Sequence, residues 1–187
     1  MINRINLDKD TELRLLTIQD APAFLAVINR SRANISEFLP WVDRVNSLDD
    51  ARSWIQLRLD KHALGEHMTL GIWKSGAHVG GVMYRSIDHE KHECEIGYWL
   101  DDAFVGVGLM STACGWMIRY AFNGLGMDHI VIQCAAKNKR SRALPERLGF
   151  ALEHFLKDDF VHRGISHDSV IYGLWRSDYL ATTPSVV

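Results

Sequence analysis

One stretch, Glu93 to Ala121, restricts what this chain can fold into more than any other. It runs Glu-Cys-Glu-Ile-Gly-Tyr-Trp-Leu, then Asp-Asp-Ala-Phe, then Val-Gly-Val-Gly-Leu-Met-Ser, then a long apolar-striped segment. This is the order strand, short turn, glycine-bearing loop, helix start. Such an order puts a row of backbone N–H groups at a helix N-terminus with no intrahelical acceptor. Those groups and the helix dipole attract an anion such as a diphosphate. Gly106 and Gly108 by themselves are a weak signal, because loops and helix starts use glycine freely.

The rest of the chain reads as support for that stretch. Glu12 to Thr17 alternates as a strand. Thr17 or Asp20 caps a helix with Pro22 in its first turn and Phe24, Leu25, Val27 and Ile28 on its apolar face. A short helical piece at 35–39 stops at Pro40 and is followed by Trp41. Ser47 and Asp50 resemble a capping box for a helix that ends at Gly65. Strands at 68–74 and 79–86 flank the hairpin-like turn Ser-Gly-Ala-His, and 93–100 is a third. A helix from Leu109 to near Asn123-Gly124 precedes an apolar strand at 129–135. Ser141 to Leu148 reads as a helix closed by Gly149. Strands at 150–156 and 166–174 form an antiparallel pair around a polar connection, and 181–187 is a loose tail. The pattern predicts one mixed α/β (α+β) domain over 1–187, with its ordered core at about 11–179.

Bulk properties exclude several classes. The 187 residues can bury a core without staples, and 47% hydrophobic with 24% charged is globular rather than disordered. A net charge of -2 disfavours wholesale binding of nucleic acid. Cys94, Cys114 and Cys134 form no CxxC pair and sit in apolar contexts, which points to a reducing, intracellular setting. The N-terminus lacks an apolar signal core and no segment is long enough to span a membrane, so a soluble cytoplasmic protein is expected.

The element order, Ile-Gly-Tyr-Trp-Leu before Val105 to Ser111, and Asn138-Lys-Arg-Ser141 leading to Arg147-Leu-Gly-Phe150 together resemble the GNAT N-acetyltransferases, and within them the RimJ/RimL-like branch. The resemblance implies a central, mostly antiparallel twisted sheet of about seven strands flanked by helices. It also implies a splay between the fourth and fifth strands, 93–100 and 129–135. Acetyl-CoA is the implied cosubstrate. Val105, Gly106, Val107, Gly108, Leu109, Met110 and Ser111 would cradle its diphosphate, and the main chain of Trp99 and Leu100 would bond the pantetheine arm. Asn138 would bind a pantetheine amide. The family's loop usually opens with Gln or Arg, where this chain has Val105; main-chain donors can still hold the diphosphate. Many relatives carry a tyrosine that protonates the departing thiolate. Its position is Pro145 here, and Ser141, one turn earlier, is assigned as general acid or thiolate hydrogen-bond donor.

Glu95 is the proposed general base, because the strand before the loop often carries such a carboxylate in GNAT enzymes; Glu93, Glu66 and His67 are runners-up. Lys139, Arg140, Arg142 and Arg147 either hold CoA phosphates or form a solvated helix face. Phe38, Trp41 and Trp54 either shape the acceptor pocket, pack the core or meet a partner. His89, His92, His162 and His167 with Cys94 match no closed tetrahedral metal set, and acetyl transfer needs none. The resemblance thus implies acetyl transfer to a primary amine by direct attack in a ternary complex, with no acyl-enzyme and with a homodimer left open. The acceptor that the resemblance implies is the N-terminal amine of a ribosomal or other protein. Alternatives are a small amine, such as a polyamine, an aminoacyl compound or an antibiotic, or a CoA-binding module without turnover. Nucleotide binding is disfavoured because no Lys-Ser/Thr pair follows Gly108.

Overall fold

Ser75 and Gly76 both have positive φ (50° and 80°), the backbone of a two-residue type I′ turn, and they close the first long hairpin. The computed structural model in which this turn is seen describes residues 4–182. Its strands are β1 (Arg4–Asn6), β2 (Thr11–Leu15), β3 (Met68–Lys74), β4 (Ala77–Asp88), β5 (Glu93–Leu100), β6 (His129–Ala135), β7 (Ala151–His162) and β8 (Ile165–Trp175). Its helices are α1 (Ala21–Ile35), α2 (Leu48–Ala63), α3 (Leu109–Asn123), α4 (Lys139–Arg147) and α5 (Arg176–Thr182). This is a mixed α/β fold whose eight strands make a mostly antiparallel sheet. The chain divides into two compact units, Met1–Arg85 with Gly97–Ala113 and Ser86–Ile96 with Cys114–Val187.

In the first unit β1, β2, β3 and β4 follow one another, each antiparallel to the last. α1 buries Phe24, Val27, Ile28 and Ile35, spaced to form one face, and Pro22 sits in its first turn, where a missing N–H costs nothing. α2 starts at a capping box: Asp50 N donates to Ser47 Oγ at 3.1 Å and Ser47 N donates to Asp50 Oδ2 at 2.9 Å. Losing such a cap costs about 1 kcal/mol. The helix is over by Leu64, and Gly65 follows with φ of 76°. Phe24, Val27, Ile28, Val42, Trp54 and Ile55 join Trp73, Met83 and Trp99 in one core cluster. Gly80 and Gly81 of β4 let β5 lie flush, since a Cβ at Gly80 would come 2.6 Å from the Trp99 carbonyl and one at Gly81 2.7 Å from the Trp99 indole nitrogen.

In the second unit the order is β5, β6, β8, β7, with β5 and β6 parallel and the other neighbours antiparallel. The parallel ladder covers only Glu93, Cys94 and Glu95 against His129, Ile130 and Val131, although β5 has eight residues and β6 seven. β7 lies at the edge, and its register slips twice against β8. At the second slip Leu156 faces Ser169 and Phe160 faces His167, so Lys157, Asp158 and Asp159 stand opposite Asp168 alone.

Several boundaries differ from the sequence reading. The eighth strand, Arg4–Asn6, has too few residues to show alternation and exists through pairing with Glu12–Arg14. The piece expected at 35–39 is the end of α1 and a turn, while a 3-10 helix at Pro40–Arg44 follows. The polar connection between the last two strands is mostly strand, closed by Arg163-Gly164. Its polar residues bond across the pair: Asp158 N donates to Asp168 Oδ1 at 2.9 Å and Ser166 Oγ to Asp158 Oδ1 at 2.7 Å. Of the expected loose tail, 181–182 belong to α5 and 183–187 lie outside the described residues. Among the described residues no helix is long and apolar enough to cross a membrane.

Candidate acetyl-transfer site

The glycine loop belongs to the first unit. Gly106 and Gly108 have φ of 86° and 79°, a left-handed backbone that glycine adopts without strain, and a Cβ at either would meet open space. What these two positions need is therefore the conformation itself and not room for a close neighbour. Residues 105–108 are exposed, with Val107 at 71%. Leu109 then turns inward at 7% exposure and starts α3, and Thr112 closes the first turn by donating N–H and hydroxyl to the Gly108 carbonyl at 3.1 and 3.3 Å. Met110 and Ser111 are half-buried in that turn. The N–H groups at positions 109–111 precede any intrahelical acceptor and are the donors a diphosphate requires. The residues present thus fit a CoA diphosphate through main-chain donors, and Val105 contributes no polar side chain.

What holds the loop was not foreseen from the sequence. Asp101, 3% exposed, receives Arg30 Nε at 2.5 Å on Oδ2 and caps the Ala103 N–H at 3.1 Å with Oδ1. Its own N–H donates to the Val79 carbonyl at 2.8 Å. Asn34 Nδ2 donates to Asp102. α1 and β4 therefore fix the residues from which the loop departs. The Asp-Asp pair after an apolar strand is a capping signal that could have pointed to part of this; the partners on α1 are about seventy residues away and carry no pattern.

Trp99 is a core residue by its side chain, 5% exposed and edge-on to Phe24 and Trp41 at 6.1 Å. Leu100 is half-buried. Trp54 stacks on Phe24 at 4.7 Å and lies 4.9 Å from Trp41, so two of the three aromatics singled out earlier are packed together. Phe38 is half-buried and makes no ring contact among the described residues. His67 is 7% exposed, with Nδ1 3.2 Å from the Arg85 carbonyl and Nε2 2.8 Å from Thr69 Oγ1. Burial pushes its pKa down to about 4, with the positive charges of Arg58, Lys61 and His62 adding to the shift. Glu66 beside it is exposed.

In the second unit Glu95 is half-buried on β5, paired with Val131. Glu93 is committed elsewhere: His129 bridges Glu93 Oε2 at 2.8 Å and Glu153 Oε1 at 3.1 Å and stacks on Trp175 at 4.1 Å. Asn138 is the N-cap of α4, its Oδ1 accepting the Ser141 N–H at 3.0 Å, and its Nδ2 is engaged by no described residue. Ser141 Oγ lies 3.2 Å from Cys134 Sγ. Pro145 sits inside α4 and has no N–H to offer the Ser141 carbonyl one turn back. Arg142 is not a spare cation. Its Nε donates to Tyr172 Oη at 3.0 Å and its Nη1 to the Ala136 carbonyl at 3.1 Å, while Tyr172 donates to Glu146 at 2.6 Å. Lys139, Arg140 and Arg147 are exposed. Burial pushes the Cys94 thiol up to about 12 and the Cys114 thiol upward as well. Among the described residues no group of three or more His, Cys, Asp or Glu is placed to hold a metal ion.

A helix entered through two left-handed glycines, beside a sheet with a short parallel ladder, presents main-chain donors to an anion. The chain belongs to the GNAT acetyltransferase family, whose acetyltransferase (GNAT) domain matches residues 10–151. Its relatives and structural neighbours include ribosomal-protein acetyltransferases of the RimJ/RimL kind. The ribosomal-protein-serine acetyltransferase of Escherichia coli (strain K12) is 27% identical over 157 residues, 84% of this chain and 88% of that protein. The solved structure of RimL, a ribosomal L7/L12 alpha-N-protein acetyltransferase in complex with coenzyme A, superposes with a TM-score of 0.87 at 28% identity, covering 92% of this chain and 98% of that one. The microcin C7 self-immunity acetyltransferase MccE, in complex with acetyl-CoA and AMP, gives 0.87 at 27% identity, covering 91% and 95%.

Proposed function

We propose that this enzyme transfers the acetyl group of acetyl-CoA to the N-terminal amine of a ribosomal or other protein, by direct attack in a ternary complex. The observation that carries the reading is the loop with Gly106 and Gly108 at positive φ, delivering the donors at the start of α3. Val105 to Ser111 hold the diphosphate, the main chain of Trp99 and Leu100 holds the pantetheine arm, and the Asn138 side-chain amide donates to a pantetheine carbonyl. The neutral amine attacks the thioester carbonyl carbon, the C–S bond breaks, and the sulfur leaves as thiolate. Glu95 takes the proton the amine loses, directly or through a water, and Ser141 donates a hydrogen bond or proton to the thiolate. Catalysis rests mainly on positioning the two substrates. Cys94 and Cys114, kept as thiols by burial, are unsuited to carry an acyl group.

The likeness to MccE, a self-immunity acetyltransferase and not a ribosomal-protein one by its description, keeps a second reading in view, in which the acceptor is a small amine. Incubating the protein with acetyl-CoA and either ribosomal proteins or a panel of small amines, then reading products by mass spectrometry, separates the two. Acetylated protein N-termini support the first reading; acetylation of small amines alone replaces it with the second. Acetyl-CoA binding without release of free thiol to any acceptor would reduce the protein to a CoA-binding module.

A further inference from the structure

α4 is nine residues long, too short to be stable as an isolated helix, and Pro145 removes one rung from its ladder. Where it sits against the sheet is therefore decided by contacts outside itself. Leu144 and Pro145 bury its inner face. Its polar contacts converge on one side chain. Arg142 Nε donates to the Tyr172 hydroxyl of β8 at 3.0 Å, and that hydroxyl donates in turn to Glu146 Oε1 at 2.6 Å. Arg142 Nη1 reaches back past the start of the helix and donates to the Ala136 carbonyl at 3.1 Å. Lys139, Arg140 and Arg147 are exposed, whereas the Arg142 side chain is 32% exposed.

What Arg142 grips is the turn between β6 and α4. Asn138 N donates to the Ala135 carbonyl at 2.9 Å, which closes the turn, and Ala136 N donates to the Asp168 carbonyl at 2.8 Å, which ties it to β8. Ala136 is thus held at both of its backbone groups, by β8 at one and by Arg142 at the other. Two residues on, Asn138 caps α4 through Oδ1, 3.0 Å from Ser141 N, so its Nδ2 is the donor it can offer a ligand. The direction of that amide depends on the turn behind it and the helix ahead of it, and Arg142 joins the two. A guanidinium suits this task, because its planar fork holds two acceptors in a fixed geometry.

We propose that Arg142 is a positioning residue: it acts through the Ala136–Asn138 turn, holding the Asn138 amide where it meets the pantetheine arm, and does not itself bind the CoA phosphates. The inference rests on the acetyl-transfer reading above and adds to it a residue that never touches the substrate. It sets Arg142 apart from the neighbouring cations of α4, whose side chains face solvent.

The test is titration calorimetry with acetyl-CoA and steady-state kinetics, well below the melting temperature of each variant, on Arg142→Gln, Arg142→Lys, Asn138→Ser and the double variant of Arg142→Gln with Asn138→Ser. Serine keeps the helix cap and removes the amide donor. Arg142→Gln should weaken acetyl-CoA binding about tenfold, with the KM for acetyl-CoA rising more than kcat falls and the KM for the acceptor unmoved. Arg142→Lys should not rescue, since an ammonium supplies the charge without the fork. The double variant should bind no more weakly than Asn138→Ser, because Arg142 acts through the amide already removed. Direct contact with a phosphate gives the opposite pattern, near-normal affinity in Arg142→Lys and additive losses in the double variant, and either result overturns the proposal. Wild-type affinity in a folded Arg142→Gln overturns it as well. Tyr172→Phe keeps the buried ring and removes only the hydroxyl, so it decides the matter even if Arg142→Gln fails to fold. A several-fold loss of affinity that vanishes in the Asn138→Ser background supports the proposal, and no loss overturns it. Failure of the acetyl-transfer reading looks different: the wild type itself then binds no acetyl-CoA, and both fall together.

Discussion

Removing Arg30 tests how the glycine loop is held in place. The Arg30–Asp101 pair is lopsided: the Asp101 side chain is 4% exposed and that of Arg30 is 52% exposed. With charge centres about 4 Å apart and an effective dielectric near 20, the gross attraction is about 4 kcal/mol. Desolvation of the carboxylate and screening of the half-exposed guanidinium reduce the net to about 1.5–3 kcal/mol. Arg30→Ala should lose that amount, because it strands a buried carboxylate left with the hydrogen bond that it accepts from the Ala103 N–H. Asp101→Asn should cost less, about 1 kcal/mol, since the guanidinium left behind can be solvated and an amide oxygen still caps Ala103. Urea unfolding at fixed ionic strength measures both values. Titration calorimetry with acetyl-CoA should show weaker binding for Arg30→Ala, because a loosened Asp101–Ala103 turn no longer sets the departure of the loop. If Arg30→Ala matched the wild type in both stability and acetyl-CoA affinity, or proved milder than Asp101→Asn, the clamp argument would be wrong.

Gly108→Glu should abolish acetyl-CoA binding, through strain at a φ of 79° and like charge against a diphosphate; normal affinity by calorimetry would remove the phosphate-loop assignment. Ser141→Ala should lower kcat by more than about tenfold with little change in acetyl-CoA affinity, and an unchanged kcat would sink the acid assignment. His67 and His78, both with pKa pushed down to about 4 by burial, take up protons in the unfolded chain before they do in the folded one. Stability should therefore fall as pH drops from about 6.5 toward 4, by roughly 3 kcal/mol for each ring, so that His78→Phe flattens the dependence of the urea midpoint on pH; a slope equal to that of the wild type would contradict this.

The strand–loop–helix segment was legible because its information is local. Alternation from Glu93 to Leu100, glycines where φ must be positive, and helical spacing from Leu109 onward each constrain a few successive residues. The Ser47–Asp50 box was legible for the same reason. Pairings between distant residues were not. Nothing near Arg30 marks Asp101, and nothing near Glu93 shows that His129 bonds to it. The Ser141–Cys134 contact brings an α4 side chain to a β6 side chain, a pairing that no local pattern marks. The polar run at 157–165 was misread as a connection because composition marks it as a turn, while cross-strand bonds to Asp158 and Asp168 hold it as strand.

That same run has a consequence for how the protein behaves in solution. β7 is an edge strand, and the hairpin it forms with β8 exposes Leu152, Phe155, Val161 and Ile165. A flat edge with such residues is a template on which further chains can stack into fibrils. The bulge at Lys157, Asp158 and Asp159 divides the edge into two short apolar runs and sets charge between them. Shortening those residues to one would join the two apolar runs, leaving the slip at Glu153 as the one remaining break in a more aggregation-prone edge. The irregularity thus acts as a gatekeeper: some pairing is given up so that the sheet ends with this molecule.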